Sequence, residues 1–597
     1  MPQESKNKSA ISVACHDIPF LLFLFILTSK SLLFIHFLYD RLTFFGFIIT
    51  FPPTFGVILL LLSISLSMKS HTLKLIYLFS LNISLSLLFI SQILYFRYFN
   101  DFASIYNFHQ ISMLSSIFYI IIKMIGKEFF FIADLFFIPL IFYCLKKRYH
   151  SINSLIWIKG LSLFLLISLL FNSFPIAFNY FHFNLFKSHM ERKCFIRAIG
   201  IINYQIFDIY NYIRTKFDMI FSSQSDMTLK EAWLQEMHST RTINNLKASG
   251  QSTNLILIQI ESLQNFVIGM QWEGHEITPN LNRLAQTGIH FNNLYDQTWA
   301  GNTSDATFMA NCSLYPSKRG AVSFLYAQNT YYCLPQILRE HDYTTATMHA
   351  FRSAFWNRAI FEKALGYQLQ FYEDRYLMED QLGWGLSDKR FFAQSIEKIK
   401  ALPSPFYAFL TTLTSHVPFD DVTATIDNFP LGNLEGKLIG HYLRSMHYVD
   451  SAIGEFLQKL SANNLMSKTI IAIYGDHRAR FEENDLKMVG ITDMDELRKI
   501  PVIISLPNWN SGSRIDTIGG LIDFAPTISS ILGLDISNTV FLGKDLMNQN
   551  NHFVIFRDGS YITKDTQLDK DYVLKQLSIS DLIMEKDLMK TIKNNKS

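Results

Sequence analysis

Gly301-Asn302-Thr303-Ser304-Asp305 lies between an apolar run that ends in Glu261 and a second that ends in Gly475-Asp476-His477. A hydroxyl, two carboxylates and an imidazole at strand ends outline a nucleophile activated by a metal ion. Thr-Ser-Asp and Asp-His each occur by chance in long chains, so the weight rests on their order and strand context. Thr303 also has a plainer reading as a helix N-cap, and Asp476 and His477 could merely close a strand. The presence of all four groups favours ligation and nucleophilic chemistry.

Around this turn, the chain from Thr253 onward alternates β-rich runs with helical ones, the pattern of a mainly parallel sheet covered on both faces. Strands are expected at Asn254 to Ile260, Thr344 to His349, Phe406 to Leu413, Thr469 to Tyr474 and Val502 to Leu506. Their near-continuous apolar character implies burial on both sides. In such sheets the site lies beyond the carboxyl ends of the strands, where Glu261, His349, His416, Asp476 and His477 fall. His441 and His447 belong to an expected amphipathic helix and read as structural.

The first third of the chain is different. With 597 residues, more than one structural unit is expected. Apolar residues make up 49%, and the 54 Phe crowd toward the N-terminus. Five runs are long enough, or nearly so, to cross a hydrocarbon layer of about 30 Å: Ile18 to Tyr39, Thr43 to Leu66, Leu73 to Tyr95, Phe129 to Leu145 and Leu155 to Phe171. Leu114 to Ile125 is too short to span and reads as an interfacial helix. Pro52 and Pro53 would kink the second span, which membrane helices tolerate.

Basic residues set the expected orientation. Lys6 and Lys8, Lys69 and Lys74, and Lys146, Lys147 and Arg148 mark three cytoplasmic segments. Five crossings then leave everything beyond Phe171 outside the cytoplasm, in a multi-pass protein of the cell membrane. The expected division is a transmembrane domain over 1–174, an amphipathic linker over 175–252 and a catalytic domain over 253–597. Within the linker, Ile201 to Ile213 and Leu229 to Met237 are helix candidates. Lys30 lies inside the first span, where pairing with another helix or snorkelling is expected ahead of contact with a lipid phosphate.

The net charge of +3 points to no particular partner, and no nucleic-acid partner is expected. Cys312 and Cys333 lie in the outer domain, where an oxidising compartment permits a disulfide. Such a bond would stabilise the fold by roughly 3 kcal/mol on the chain-entropy model. No CxxC pair is present, which argues against a zinc ribbon or thioredoxin-type site.

The whole chain resembles lipoteichoic acid synthases, membrane phosphoglycerol transferases of the alkaline phosphatase and sulfatase superfamily. The resemblance is carried by Tyr95 to Phe102, Glu261-Ser262-Leu263-Gln264, Thr303-Ser304-Asp305, Phe355-Trp356-Asn357-Arg358, Leu413 to Phe419 and Tyr474-Gly475-Asp476-His477. Phe556 to Gly559 and Ile562 to Asp565 also match. It implies a five-helix membrane domain followed by an α/β sulfatase-like extracytoplasmic domain. Glu261, Thr303, Asp476 and His477 would hold one divalent ion, with Mn²⁺ expected and Zn²⁺ or Mg²⁺ as alternatives. Thr303 would attack phosphatidylglycerol, expel diacylglycerol and pass the phosphoglycerol group to a glycolipid, polyglycerolphosphate or glycan acceptor.

In this resemblance Arg358 and His416 match phosphate and substrate contacts, with His416 also placed to protonate a leaving group. Trp356 and His349 match positions lining the glycerol pocket. Phosphoethanolamine transfer uses the same threonine and metal logic and is the alternative activity; a membrane-tethered lipid- or glycan-binding module is the non-enzymatic one. A true sulfatase is disfavoured because Cys-x-Pro-x-Arg is absent. The chain departs from the synthases in three places. Asn302 stands where Lys is common, Phe351 where an Asp contacts glycerol, and Arg478 and Arg480 where a small and polar pair is usual. These departures bear on the head group and acceptor.

Overall fold

The computed structural model describes residues 18–38, 44–68, 70–99, 102–105, 126, 130–137, 162–173, 196, 199–221, 253–537, 539–548, 553–564 and 567–590. It forms two compact units, Met1–Phe217 and Asp218–Ser597.

The N-terminal unit is built on the helices Ile18–Leu38, Phe44–Leu66 and His71–Phe99. Among the described residues two helices, Pro19–His36 and His71–Phe96, are long and apolar enough to cross a membrane. Thr50–Leu66 and Ser162–Ser173 are shorter apolar helices. The expected interfacial helix, most of the expected fourth span and the candidate helix Leu229 to Met237 lie outside the described residues. Pro52 and Pro53 sit inside Phe44–Leu66 without ending it. Phe20, Phe23, Leu27, Leu62, Leu78 and Phe89 form the centre of the unit.

Lys30 is buried in that centre. Its ammonium pairs with Asp134 at 2.7 Å and donates to Asn82 Oδ1 at 2.8 Å and Ser86 Oγ at 2.7 Å. Asn82 in turn donates to Asp134 at 2.7 Å. The pairing expected for a charge inside an apolar helix is therefore present, and it is supplied by neighbouring segments of the same unit. The helix Ile201–Phe221 begins in this core through Ile201, Ile202 and Tyr204. Gly200 makes the entry possible: it has φ +78°, and a Cβ there would lie 2.4 Å from Thr54 Oγ1. Asp208 then accepts from the Ile105 amide at 2.6 Å and from the Ser104 hydroxyl.

The C-terminal unit is an α/β sandwich around one mixed sheet. Its strands are β1 (Asn254–Ile260), β2 (Ile289–Tyr295), β3 (Thr344–Met348), β4 (Leu369–Phe371), β5 (Phe406–Thr411), β6 (Thr469–Gly475), β7 (Lys499–Ser505), β8 (Ser513–Ile515) and β9 (Gly519–Gly520). They lie in the order β8-β2-β7-β6-β1-β5-β3-β4, with β9 also on β2. Pairing is parallel except where β7 runs antiparallel to both β6 and β2. The five expected strands are present. Strand β2 was not expected, because His290, Asn292 and Asn293 interrupt its apolar residues.

Every residue of β1 is buried. Leu255 and Leu257 face one core, with the helices Thr303–Cys312, Arg358–Leu365 and Phe524–Leu532. Ile256, Ile258 and Ile260 face the other, with Asp388–Lys400 and Leu438–Ala462. Alternate side chains thus serve opposite faces, each fully buried aliphatic stabilising the sheet by roughly 1.5–3 kcal/mol. Cys312 and Cys333 are bonded, linking the end of Thr303–Cys312 to the start of Leu334–Glu340. His447, on Leu438–Ala462, bonds through Nδ1 to Asp427 at 2.8 Å.

Candidate active site

Parallel pairing of β1 with β6 places Ile260 beside Gly475, so the next residues, Glu261 and Asp476, leave the sheet side by side. Gly475 is needed there because a Cβ would lie 2.0 Å from the Leu263 carbonyl oxygen. Asp476 Oδ1 accepts from the amides of Ser262 at 2.8 Å and His477 at 2.7 Å, which fixes the carboxylate. The remaining oxygen, Oδ2, is buried without a hydrogen-bond partner. His477 Nε2 lies 3.2 Å from Glu261 Oε1 and 3.6 Å from Asp476 Oδ2.

Thr303 completes the group. Its hydroxyl donates to Glu261 Oε2 at 3.1 Å and lies 3.4 Å from His477 Nε2. It opens the helix Thr303–Cys312 but is not the cap: Asn302 holds that position with φ 40° and ψ −115°, an uncommon backbone for a side-chain-bearing residue. Asp305 reaches back to accept from the amides of Gly301 at 2.8 Å and Trp299 at 3.1 Å. Gln259 on β1 donates to the Thr303 carbonyl at 3.1 Å and accepts from Thr307 and Tyr474. The helix start is thereby held against the sheet, with its positive dipole end at the threonine.

The electrostatics of this group ask for a cation. Burial raises the Asp476 carboxyl, and Glu261 raises it further, to about 8. Burial opposes charge on His477, but the Asp476 and Glu261 carboxylates outweigh it and push the imidazole up to about 10. Burial also acts to raise Glu261, yet His477 and then His416 hold it well below the usual carboxylate range. At neutral pH, protons on Asp476 and His477 offset the carboxylate charge that a divalent ion would otherwise neutralise. Ligand atoms of Glu261, Asp476 and His477 lie within 4.8 Å of one another. With the unpartnered Asp476 oxygen among them, this oxygen and nitrogen set fits a divalent cation.

Of the remaining predicted residues, His349 and His416 follow strand ends, and Trp356 and Arg358 lie where the helix Arg358–Leu365 begins. His416 follows β5, in a turn held where the Ser415 hydroxyl donates to the Glu261 carbonyl at 2.6 Å. Its Nδ1 donates to the Val417 carbonyl at 2.9 Å. His349, buried after β3, donates through Nδ1 to the Thr411 carbonyl at 3.0 Å. Burial, then the Arg358 charge, pushes it down to about 3. Arg358 is buried and bonds Glu362 at 2.6 Å. Trp356 has φ 53° and packs on Phe324 and Phe355 at ring distances of 6.0 Å.

Residues not singled out from sequence also sit here. Trp384 stacks on His416 at 4.3 Å and contacts Phe351 and Phe355. Glu362, besides holding Arg358, accepts from Thr347 at 2.8 Å and Tyr372 at 2.9 Å. Asp388 accepts from the Leu413 amide at 3.0 Å and steadies the turn before His416. The one sequence signal for Trp384 was an aromatic between Gly383 and Gly385.

Comparison with known proteins gives a consistent picture. The family model described as Sulfatase matches residues 253–534, and that of the lipoteichoic acid synthase N-terminal domain matches 5–219. Lipoteichoic acid synthase 2 of Bacillus subtilis is 33% identical over 444 residues, covering 68% of each chain. Lipoteichoic acid synthase 1 of the same organism is 30% identical over 561 residues, 85% of this chain and 84% of that one. The crystal structure of the lipoteichoic acid synthase LtaP from Listeria monocytogenes is similar with a TM-score of 0.54 and 25% identity, over 60% of this chain and 98% of that one.

Proposed function

We propose a specific reaction for this chain, which belongs to the lipoteichoic acid synthase family, phosphoglycerol transferases of the sulfatase superfamily. Thr303 attacks the phosphorus of phosphatidylglycerol, forming a threonine–phosphate bond as the bond to diacylglycerol breaks. A hydroxyl of a glycolipid, polyglycerolphosphate or glycan acceptor then displaces Thr303. The observation that carries this reading is the Thr303 hydroxyl at 3.1 Å from Glu261, beside the unpartnered Asp476 oxygen.

Glu261, Thr303, Asp476 and His477 would hold one divalent ion, Mn²⁺ by preference with Zn²⁺ or Mg²⁺ as alternatives. Such an ion makes the alkoxide accessible near neutral pH and offsets charge on the phosphoryl oxygens. The Glu261 carboxylate already accepts the threonine proton in a hydrogen bond. His416, with Nδ1 bonded to the Val417 carbonyl, would as its imidazolium protonate the departing diacylglycerol oxygen and then, neutral, take the proton of the acceptor hydroxyl. Arg358, held by Glu362, binds the donor phosphate, and Trp356 and His349 line the head-group pocket. Two displacements at one nucleophile give ping-pong kinetics.

The proposed organisation is a membrane domain over 1–174 with five helices, a linker over 175–252 and a catalytic domain over 253–597. The protein is then multi-pass, with its catalytic domain outside the cytoplasm. The test is diacylglycerol release by the full chain in detergent with Mn²⁺, from acyl-labelled phosphatidylglycerol or phosphatidylethanolamine. Release from phosphatidylglycerol, with a phosphoglycerol adduct in the intact mass, is expected. Release from phosphatidylethanolamine alone would replace the head group in this reading, and release from neither lipid would leave a binding module.

A further inference from the structure

We propose that Arg480 supplies the cation that faces the phosphoryl group while it is carried by Thr303. The inference rests on the reading of Thr303 as the nucleophile. Arg480 Nη2 donates to Asn302 Oδ1 at 3.4 Å, and Asn302 immediately precedes Thr303. The guanidinium is thus tied to the residue whose unusual backbone presents the nucleophile.

Its own segment is held firmly. Arg478 to Phe481 follow the ligand pair Asp476-His477 directly, and the Arg478 amide donates to Asp296 at 3.0 Å. Ala479 and Phe481 are buried, with Phe481 against Tyr442 at 5.0 Å and Phe419 at 5.9 Å. Arg478 is exposed and Arg480 only partly covered, so the arginines alternate with the anchored apolar residues.

Charge explains why a further cation is useful there. A divalent ion is balanced by Glu261 and Asp476, and His477 is neutral as a ligand. Arg358 is matched by Glu362 at 2.6 Å, both buried. A phosphodiester at Thr303 therefore adds negative charge that these pairs leave uncompensated, and that charge spreads over its oxygens in the transition state. A planar guanidinium beside the nucleophile matches two such oxygens better than a flexible ammonium does.

The experiment compares Arg480→Gln, Arg480→Lys and Arg478→Gln in the full chain, in detergent micelles of phosphatidylglycerol with Mn²⁺. Arg480→Gln is expected to lower kcat for diacylglycerol release about 100-fold. It should also weaken binding of inorganic phosphate, read by calorimetry, about tenfold, with the Mn²⁺ midpoint and Tm unchanged. Arg480→Lys should stay within about tenfold of the parent because it keeps the charge, and Arg478→Gln, at an exposed neighbour, should lose less than about threefold. Parental kcat and phosphate binding in Arg480→Gln would overturn the proposal. So would an equal loss in Arg478→Gln, which would mean that the effect follows the net charge of this segment and not the placement of Arg480. If the parent chain releases no diacylglycerol, the lipid reading falls and phosphate binding alone decides on Arg480.

Discussion

Two buried polar clusters, one in each unit, contain similar groups and end in opposite states. In the N-terminal unit Lys30 reaches Asp134, Asn82 and Ser86, and Asn82 closes the ring on Asp134. One ammonium faces one carboxylate, so the charges balance. In the C-terminal unit Glu261, Asp476, His477 and Thr303 converge, so two carboxyl groups face one imidazole; Asp476 Oδ2 has no hydrogen-bond partner, and the Asp476 carboxyl and the His477 imidazole hold their protons more tightly than usual. A cluster whose charges balance holds helices together, whereas one with a carboxylate in surplus is shaped for a cation not made of protein.

The strongest way to break this comparison is to remove the nucleophile. Thr303→Ala should lower diacylglycerol release by on the order of 1,000-fold or more, with Tm within a few degrees of the parent, because the methyl fits the same helix start. Retained turnover would place the chemistry elsewhere. Next in size is Lys30→Met, which strands Asp134 and should cost about 3 kcal/mol in denaturant unfolding of the micellar protein. The double variant Lys30→Met/Asp134→Leu should recover most of that loss, and turnover per folded molecule should stay at the parental level in both. A turnover defect in the double variant would make the membrane cluster functional and erase the distinction.

Ligand removal sharpens the same contrast. Chelation should lower the stability of the parent by about 2.7 kcal/mol relative to Mn²⁺ at 100 times its Kd, and Asp476→Asn should abolish that increment. Lys30→Met should keep it in full.

The smallest expected effect concerns His349, a buried group that the structure keeps neutral. Its folded pKa is depressed to about 3 from an ordinary 6.5, so its contribution to stability is complete above pH 6.5 and is lost as pH falls toward 3. Between pH 7 and 5 the loss should be about 2 kcal/mol in denaturant midpoints, and His349→Gln should flatten that slope. An unchanged slope in the variant would assign the acid sensitivity to other groups, such as His290, which burial pushes down to about 4.

How much of this was legible beforehand differs by element. Strand β1 could be read because seven successive residues are buried, so its apolar run is unbroken. Strand β2 could not, since His290, Asn292 and Asn293 break its apolar run and the strand is held by pairing with β7, β8 and β9. Thr303, Glu261, Asp476 and His477 were legible as residue types at the ends of apolar runs. Glu362, Gln259, Asp388 and Trp384 were not, because each reaches a residue held on a different element: Thr347, Thr303, Leu413 and His416.

Apolar periodicity and residue chemistry therefore determined the division into a membrane-type third and an α/β remainder, and they named the nucleophile and its presumed ligands. These are local properties, carried by composition and spacing along one segment at a time. Tertiary structure decided that Glu261 and Asp476 meet at His477 and which arginine leans on Asn302. The physical reason is register: the pairing of Ile260 with Gly475 sets Glu261 beside Asp476, and neither residue carries in its own neighbourhood any sign of the other.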